Sequence, residues 1–139
     1  MTRFAVDAPT ALLLLEEGLS APEGHQLVGT AALRSDVSRL LFGRSLSGRL
    51  TPGQAREQLD ALASLKLRLL GDRVSRAASW SIAETLGWHD PTDAEILAVA
   101  RLQADALVTA SARLIQAAGE LEPPLPVTTP EEFLAVLRP

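Results

Sequence analysis

The fold is decided by RFAVDAPTALLLLEEG, residues 3–18, in which a strand, a turn and a helix follow one another directly. The apolar run RFAV ends at Asp7. Pro9 then suits the first turn of a helix, where an amide hydrogen is not needed for an internal hydrogen bond. The apolar run from Ala11 ends at Gly18, a residue typical of helix C-termini. A strand that leads directly into a helix is the basic unit of an α/β protein.

The same alternation continues along the rest of the chain. Short apolar runs that predict further strands lie at residues 25–29, 66–70, 105–109 and 125–127. Between them apolar residues recur at helical spacing, and Thr51, Asp72 and Thr129 lie where helix-capping side chains are favoured. This pattern predicts an α/β protein with a mostly parallel sheet that helices cover on both faces.

Two helices carry more detailed predictions. The helix after Asp72 is predicted to turn five residues toward the core: Val74, Ala77, Ala78, Ile82 and Leu86. The segment TDAEILAVA, residues 92–100, predicts a buried helix that begins with a capping box between Thr92 and Glu95. In that helix Glu95 points about 200° away from Asp93, so the two carboxylates are not expected to share a ligand.

Composition limits the class of protein. The chain has 139 residues, of which 47% are hydrophobic and 22% charged, and this predicts one domain over residues 1–139 with its own core. The sequence has no Cys, which excludes disulfides and thiolate metal sites and fits a reducing cytoplasm. The apolar run that starts at Ala11 is cut off by Glu16 and Glu17, so neither a signal peptide nor a membrane span is predicted.

The charged and aromatic residues restrict the partners. A net charge of −4 argues against broad electrostatic adhesion to nucleic acid, whereas twelve of the 13 basic residues are Arg, which suits local phosphate contacts. A solvated helix face is predicted for four of them, with RNA contact as the alternative: Arg34, Arg39, Arg44 and Arg49. His25 and His89 are expected in surface loops. Trp80 and Trp88 are expected in the core or a dimer contact, with base stacking as the alternative.

Acidic side chains stand near the ends of the predicted strands. Asp7 follows the first strand, Asp36 lies on the helix after the second, and Asp93 opens the helix before the strand at 105–109. In an open parallel sheet, ligands bind beyond the carboxyl ends of the strands, where Thr109 and Ser111 also lie. We therefore expect the three acids to converge. The competing interpretations are a helix cap for Asp7, a solvated position for Asp36 and a favourable helix-end charge for Asp93.

Converging carboxylates require a counter-charge. At a separation of about 5 Å and an effective dielectric constant near 20, each pair repels by roughly 3 kcal/mol. Such a cluster either takes up a proton or binds a cation. Carboxylate oxygens without His or Cys favour Mg²⁺ or Mn²⁺, and these ions assist phosphodiester hydrolysis by activating water and offsetting charge on the phosphate.

The sequence resembles the PIN-domain ribonuclease toxins of the VapC type, from VapBC toxin-antitoxin modules, over nearly its whole length. The segments that carry the resemblance are FAVDAPTALLLLEEG, RSDVSRLL, GDRVSRAASWSIAETLGW, TDAEILAVARLQADALVTASARL and TTPEEFLAVL. The resemblance implies a three-layer α/β/α sandwich, RNA cleavage that depends on Mg²⁺ or Mn²⁺, a homodimer and neutralisation by a VapB-type antitoxin.

The site residues of this family map onto the chain with two departures. The first-strand Asp of the family corresponds to Asp7, its acid on the second helix, usually Glu, to Asp36, and its late-helix Asp to Asp93. The fourth acid is replaced by Ser111, whose hydroxyl binds water or phosphate oxygen but adds no charge. Asp36 is one methylene shorter than the usual Glu. Weaker metal binding or slower turnover is the expected direction.

The resulting expectation is a cytoplasmic, metal-dependent endoribonuclease toxin. In this hypothesis Asp7 and Asp93 bind the ion, Asp36 orients or activates the attacking water, and Ser111 with Thr109 positions a water or phosphate. The alternative is a PIN-fold protein that binds an antitoxin or RNA without cutting it. A phosphoryl-receiver module is disfavoured, because such modules need a Lys near the last strand and the only Lys is Lys66.

Overall fold

The computed structural model describes residues 1–138 and contains one parallel sheet flanked by helices. The strands are β1 (Thr2–Val6), β2 (His25–Thr30), β3 (Arg68–Leu70), β4 (Ala106–Val108) and β5 (Val127–Thr128). They pair in the order β3-β2-β1-β4-β5, and every neighbouring pair is parallel. The helices are α1 (Ala8–Glu17), α2 (Leu33–Leu46), α3 (Pro52–Ser64), α4 (Arg73–Leu86), α5 (Ala94–Gln103), α6 (Ala112–Glu120) and α7 (Pro130–Leu137). The predicted three-layer α/β/α sandwich is confirmed.

The sheet separates two apolar layers. Along β1, Phe4 and Val6 face a layer built with α1, α2, α3 and α7, whereas Ala5 faces a layer built with α4, α5 and α6. In the same way Leu107 of β4 faces the second layer. Both faces are buried over residues 4–6 of β1 and over all of β4, and these stretches are continuously apolar, which is the pattern that parallel sheets favour.

Several helix ends form as predicted. Thr51 and Gln54 form a reciprocal capping box at the start of α3. The side chain of Asp72 accepts a hydrogen bond from the Ser75 amide at 2.8 Å, which lowers the pKa of the Asp72 carboxyl. Gly18 ends α1 with φ of 65°, in the left-handed region that glycine adopts without steric cost.

The predicted inward face of α4 is confirmed for Ala78, Ile82 and Leu86 and is wrong for Val74 and Ala77. Val74 is 62% exposed, whereas Ser75 and Ser79 are buried beside the core. The two hydroxyls donate to the carbonyls of Asp72 and Arg76, at 3.0 and 2.7 Å, so their burial leaves no unpaired donor. The two serines therefore share the inward face of α4 with Ala78, Ile82 and Leu86.

The core position considered for Trp80 and the loop position expected for His25 are wrong. Trp80 is 65% exposed, and a dimer contact there stays a prediction. His25 is the first residue of β2 and packs against the ring of Phe4, with a centroid distance of 5.7 Å. Trp88 does pack against the second apolar layer. No helix within residues 1–138 is long and apolar enough to cross a membrane.

Candidate functional site

Asp7 is fixed at the carboxyl end of the central strand by both of its oxygens. It is the N-cap of α1, where Oδ1 accepts from the Thr10 amide at 3.1 Å. Oδ2 accepts from the Thr109 hydroxyl at 2.6 Å. The Thr10 hydroxyl in turn donates to the carbonyl of Val108 at 3.2 Å. Capping is therefore a real role of Asp7, and the same contacts hold its carboxylate beside the end of β4.

The turn between β4 and α6 is organised by Thr109. Thr109 is fully buried, and its hydroxyl oxygen accepts from the Ser111 amide at 3.0 Å while donating to Asp7. The Ser111 hydroxyl is the N-cap of α6 and accepts from the Leu114 amide at 3.3 Å. Its own hydrogen remains free to donate to another acceptor. The structure thus joins three predicted site residues in one hydrogen-bonded series: Asp7, Thr109 and Ser111.

Asp93 lies on the other side of the same turn. It is the N-cap of α5 but makes no side-chain cap bond. Its Oδ2 instead accepts from Arg113 Nη1 at 2.5 Å, and both side chains are 53% exposed. The Arg113 guanidinium carbon lies 4.0 Å from the centre of the Trp88 ring. The segment 109–113 comprises the turn after β4 and the first two residues of α6, and is hereafter called the β4–α6 turn. It contacts Asp7 through Thr109 and Asp93 through Arg113.

Asp36 makes its side-chain contact within its own helix. It lies in the first turn of α2, after β2, and pairs with Arg39 of its own helix at 3.2 Å. Its side chain is 36% exposed, which agrees with the expected border position. In the part of the chain that the structure describes, no hydrogen bond or ion pair joins it to Asp7 or Asp93.

The predicted capping box between Thr92 and Glu95 is wrong. The amide and hydroxyl of Thr92 both donate to Asp90 Oδ1, at 2.8 and 2.6 Å, and α5 begins only at Ala94. These bonds from Thr92, and to a lesser degree the charge of Arg113, lower the pKa of the Asp90 carboxyl. Glu95 lines a cavity of about 160 Å³ at the carboxyl ends of β2 and β3, away from Asp93 as expected.

Of the four arginines predicted to form a solvated face, Arg39 and Arg49 are exposed, whereas the other two tie elements of the fold together. Arg34 donates to the carbonyls of Leu62 and Leu65 at the end of α3. Arg44 pairs with Glu16 of α1. Arg113, which sequence reasoning missed, is the arginine that reaches the candidate site. The sequence feature that could have indicated this role is the position of Arg113, two residues after Ser111. There it lies in the first turn of a helix that starts at the carboxyl edge of the sheet.

The oxygen donors around the β4–α6 turn suit Mg²⁺ or Mn²⁺ in chemistry. Over residues 1–138 no three Asp, Glu or His side chains are grouped closely enough to hold an ion. Mg²⁺ is, however, often held by only one or two carboxylates, with waters and substrate phosphates as its other ligands. Asp7 and Asp93 are carboxylates of the kind that such a smaller site uses, and their convergence on one ion, with or without Asp36, stays a prediction.

Comparisons with known proteins give a likeness in structure. No family model and no curated protein matches the chain. Among solved structures, it is similar to the crystal structure of PAE2754 from Pyrobaculum aerophilum, with a TM-score of 0.70 and 19% sequence identity. The match covers 98% of this chain and 95% of that chain. At this identity the likeness shows a shared fold along nearly the whole chain.

Proposed function

We propose that the chain is a Mg²⁺- or Mn²⁺-dependent endoribonuclease of the VapC kind, the toxin of a toxin-antitoxin pair. The observation that carries the proposal is the β4–α6 turn, which contacts Asp7 on one side and Asp93 on the other. This turn lies at the carboxyl edge of a parallel sheet, where ligands bind in such folds. The PIN-like sequence pattern adds the reaction class.

The proposed reaction divides the work among a few side chains. A divalent ion held by Asp7 and Asp93 would supply charge stabilisation for the phosphate and a more acidic water. Asp7 is oriented for this role by the Thr109 hydroxyl and the Thr10 amide. Thr109 is buried, so it acts by holding Asp7 and does not touch phosphate. Ser111 donates its free hydroxyl hydrogen to a phosphate oxygen, and Asp36 orients the attacking water.

RNA cleavage with added Mn²⁺ tests the proposal directly. Purified protein is expected to cut a mixed-sequence RNA when Mn²⁺ is present and to stop when EDTA removes the ion. RNA binding without cleavage would contradict the proposal and favour the second candidate, a PIN-fold protein that binds RNA or an antitoxin without cutting. Two observations favour this rival: Ser111 in place of the fourth acid, and the Arg113 ion pair on Asp93.

Ser111→Asp is expected to strengthen the site. Aspartate caps a helix about as well as serine, so α6 keeps its N-terminal hydrogen bond while the turn gains a carboxylate. Mn²⁺ affinity should rise about tenfold and RNA cleavage should rise with it, as one added charge-assisted contact predicts. Isothermal titration of Mn²⁺ and initial cleavage rates measure the two effects.

Thr51→Asp provides the matched control. Thr51 is the N-cap of α3 and has no contact with the β4–α6 turn, so the same new charge at a cap should leave Mn²⁺ affinity unchanged. Equal Mn²⁺ affinity in wild type and Ser111→Asp would show that position 111 does not face the ion. The proposal that position 111 completes a site with Asp7, Asp36 and Asp93 would then be wrong.

The remaining parts of the proposal concern partners. A cytoplasmic homodimer is expected, neutralised by a VapB-type antitoxin that presents a basic side chain to Asp7 and Asp93 and apolar residues to a groove. Co-purification of the toxin with the product of an adjacent reading frame, together with loss of RNA cleavage in that complex, tests this part.

A further inference from the structure

The guanidinium of Arg113 is held in place from several sides. It pairs with Asp93 at 2.5 Å and stacks 4.0 Å above the ring of Trp88, which itself packs against the core. Its backbone lies in the first turn of α6, which Ser111 caps. The head group is therefore held against the Asp93 carboxylate at the edge of the candidate site.

We propose that Arg113 is an in-chain counter-ion that occupies Asp93 and competes with a divalent ion for it. The proposal rests on the proposed function, since it concerns the same carboxylate. The oxygen of Asp93 that accepts from Arg113 is unavailable as a direct ligand while the ion pair persists. A guanidinium and a divalent cation on one carboxylate also repel each other. Metal binding at Asp93 is therefore weakened while Arg113 stays in place.

A phosphate group is the natural partner of the displaced arginine. The guanidinium presents five donors in a planar fork that matches phosphate oxygens, and only one Asp93 oxygen holds it in this structure. A phosphate-bearing ligand that takes Arg113 therefore frees Asp93 for the ion. By linkage, such a ligand raises the affinity for the ion and the ion raises the affinity for the ligand. Arg113 is a positioning residue that couples the two binding events.

Mn²⁺ titration of the full-length protein, followed by the electron paramagnetic resonance of the free ion, tests this coupling. Arg113→Gln should bind Mn²⁺ roughly three- to tenfold more tightly than wild type, because the competing charge is gone. Arg113→Lys keeps the charge and should stay near wild type. Arg138→Gln is the matched control, since Arg138 forms a similarly exposed ion pair with Glu17 and should not alter Mn²⁺ affinity.

A second titration adds a 2′-O-methyl oligonucleotide, which carries phosphates but resists cleavage. It should tighten Mn²⁺ binding to wild type and have a much smaller effect on Arg113→Gln. One outcome would overturn this inference and leave the nuclease proposal standing. In it, the wild type binds Mn²⁺ and cuts RNA, but Arg113→Gln binds Mn²⁺ no more tightly than the wild type. Tighter Mn²⁺ binding by Arg113→Gln in a protein that cuts no RNA would support the inference and contradict the nuclease proposal.

Discussion

Asp7→Asn is expected to lower Mn²⁺-dependent RNA cleavage by at least about a hundredfold, the usual scale for losing a central catalytic carboxylate. The reason is electrostatic. Asparagine removes the charge that would face the ion but keeps an oxygen for the Thr10 amide, which Asp7 caps at 3.1 Å. Asn caps helices about as well as Asp, but its amide nitrogen cannot accept from the buried Thr109 hydroxyl, so the free energy of unfolding should fall by about 1–3 kcal/mol. Initial cleavage rates and urea unfolding measure the two quantities.

Asp72→Asn is the matched control for this experiment. Asp72 caps α4 through the Ser75 amide in the same geometry, so the substitution makes the same chemical change at a second helix start. It should preserve both stability and cleavage. If Asp7→Asn retained wild-type rates, the placement of Asp7 in the catalytic site would be wrong, and its capping bond would be sufficient to explain the residue.

Phe133→Ala is expected to destabilise the fold by about 3–5 kcal/mol, the range measured for large buried aromatic residues. Phe133 of α7 is fully buried, and its ring lies 4.9 Å from the ring of Phe4 on β1. Truncation removes the transfer free energy of the ring and leaves a cavity that the helix fills only in part. Urea unfolding monitored by circular dichroism measures the change.

Val136→Ala is the control that separates the loss of core packing from the effect of truncating any apolar side chain on α7. Val136 lies one turn further along the same helix and is 47% exposed, so its truncation should cost less than about 0.5 kcal/mol. A similar small loss for Phe133→Ala would show that α7 contributes little to the apolar layer it covers.

Sequence reasoning predicted the elements that depend on neighbouring residues. The strands, the capping box at Thr51 and the helix end at Gly18 follow from local patterns, and the structure confirms them. The parallel direction of the strands follows too, because a helix between two strands carries the chain back to the end of the sheet where the previous strand began, whereas the strand order was not predicted. The close approach of Asp7 to Thr109 follows from that topology, since both end neighbouring parallel strands.

The features that were missed depend on competition between alternative hydrogen-bond partners, or on contacts between residues distant in the sequence. Thr92 was expected to meet Glu95, but Asp90 offers its hydroxyl and amide a closer acceptor. On α4, the Ser79 hydroxyl donates to the Arg76 carbonyl, so burial of this serine leaves no unpaired donor. A search for apolar residues at helical spacing does not reveal such a buried polar residue. The pairing of Asp93 with Arg113 spans 20 residues and depends on how α5 and α6 meet, which no local pattern encodes.

The position of β1 in the middle of the sheet has a consequence for synthesis on the ribosome. Its first neighbour, β2, emerges soon after it, but its other neighbour, β4, is translated only near the end of the chain. Asp7 and Thr109 are 102 residues apart, so their bond forms after most of the polypeptide has left the exit tunnel. A nascent chain therefore lacks the assembled edge until β4 and Thr109 have emerged from the tunnel.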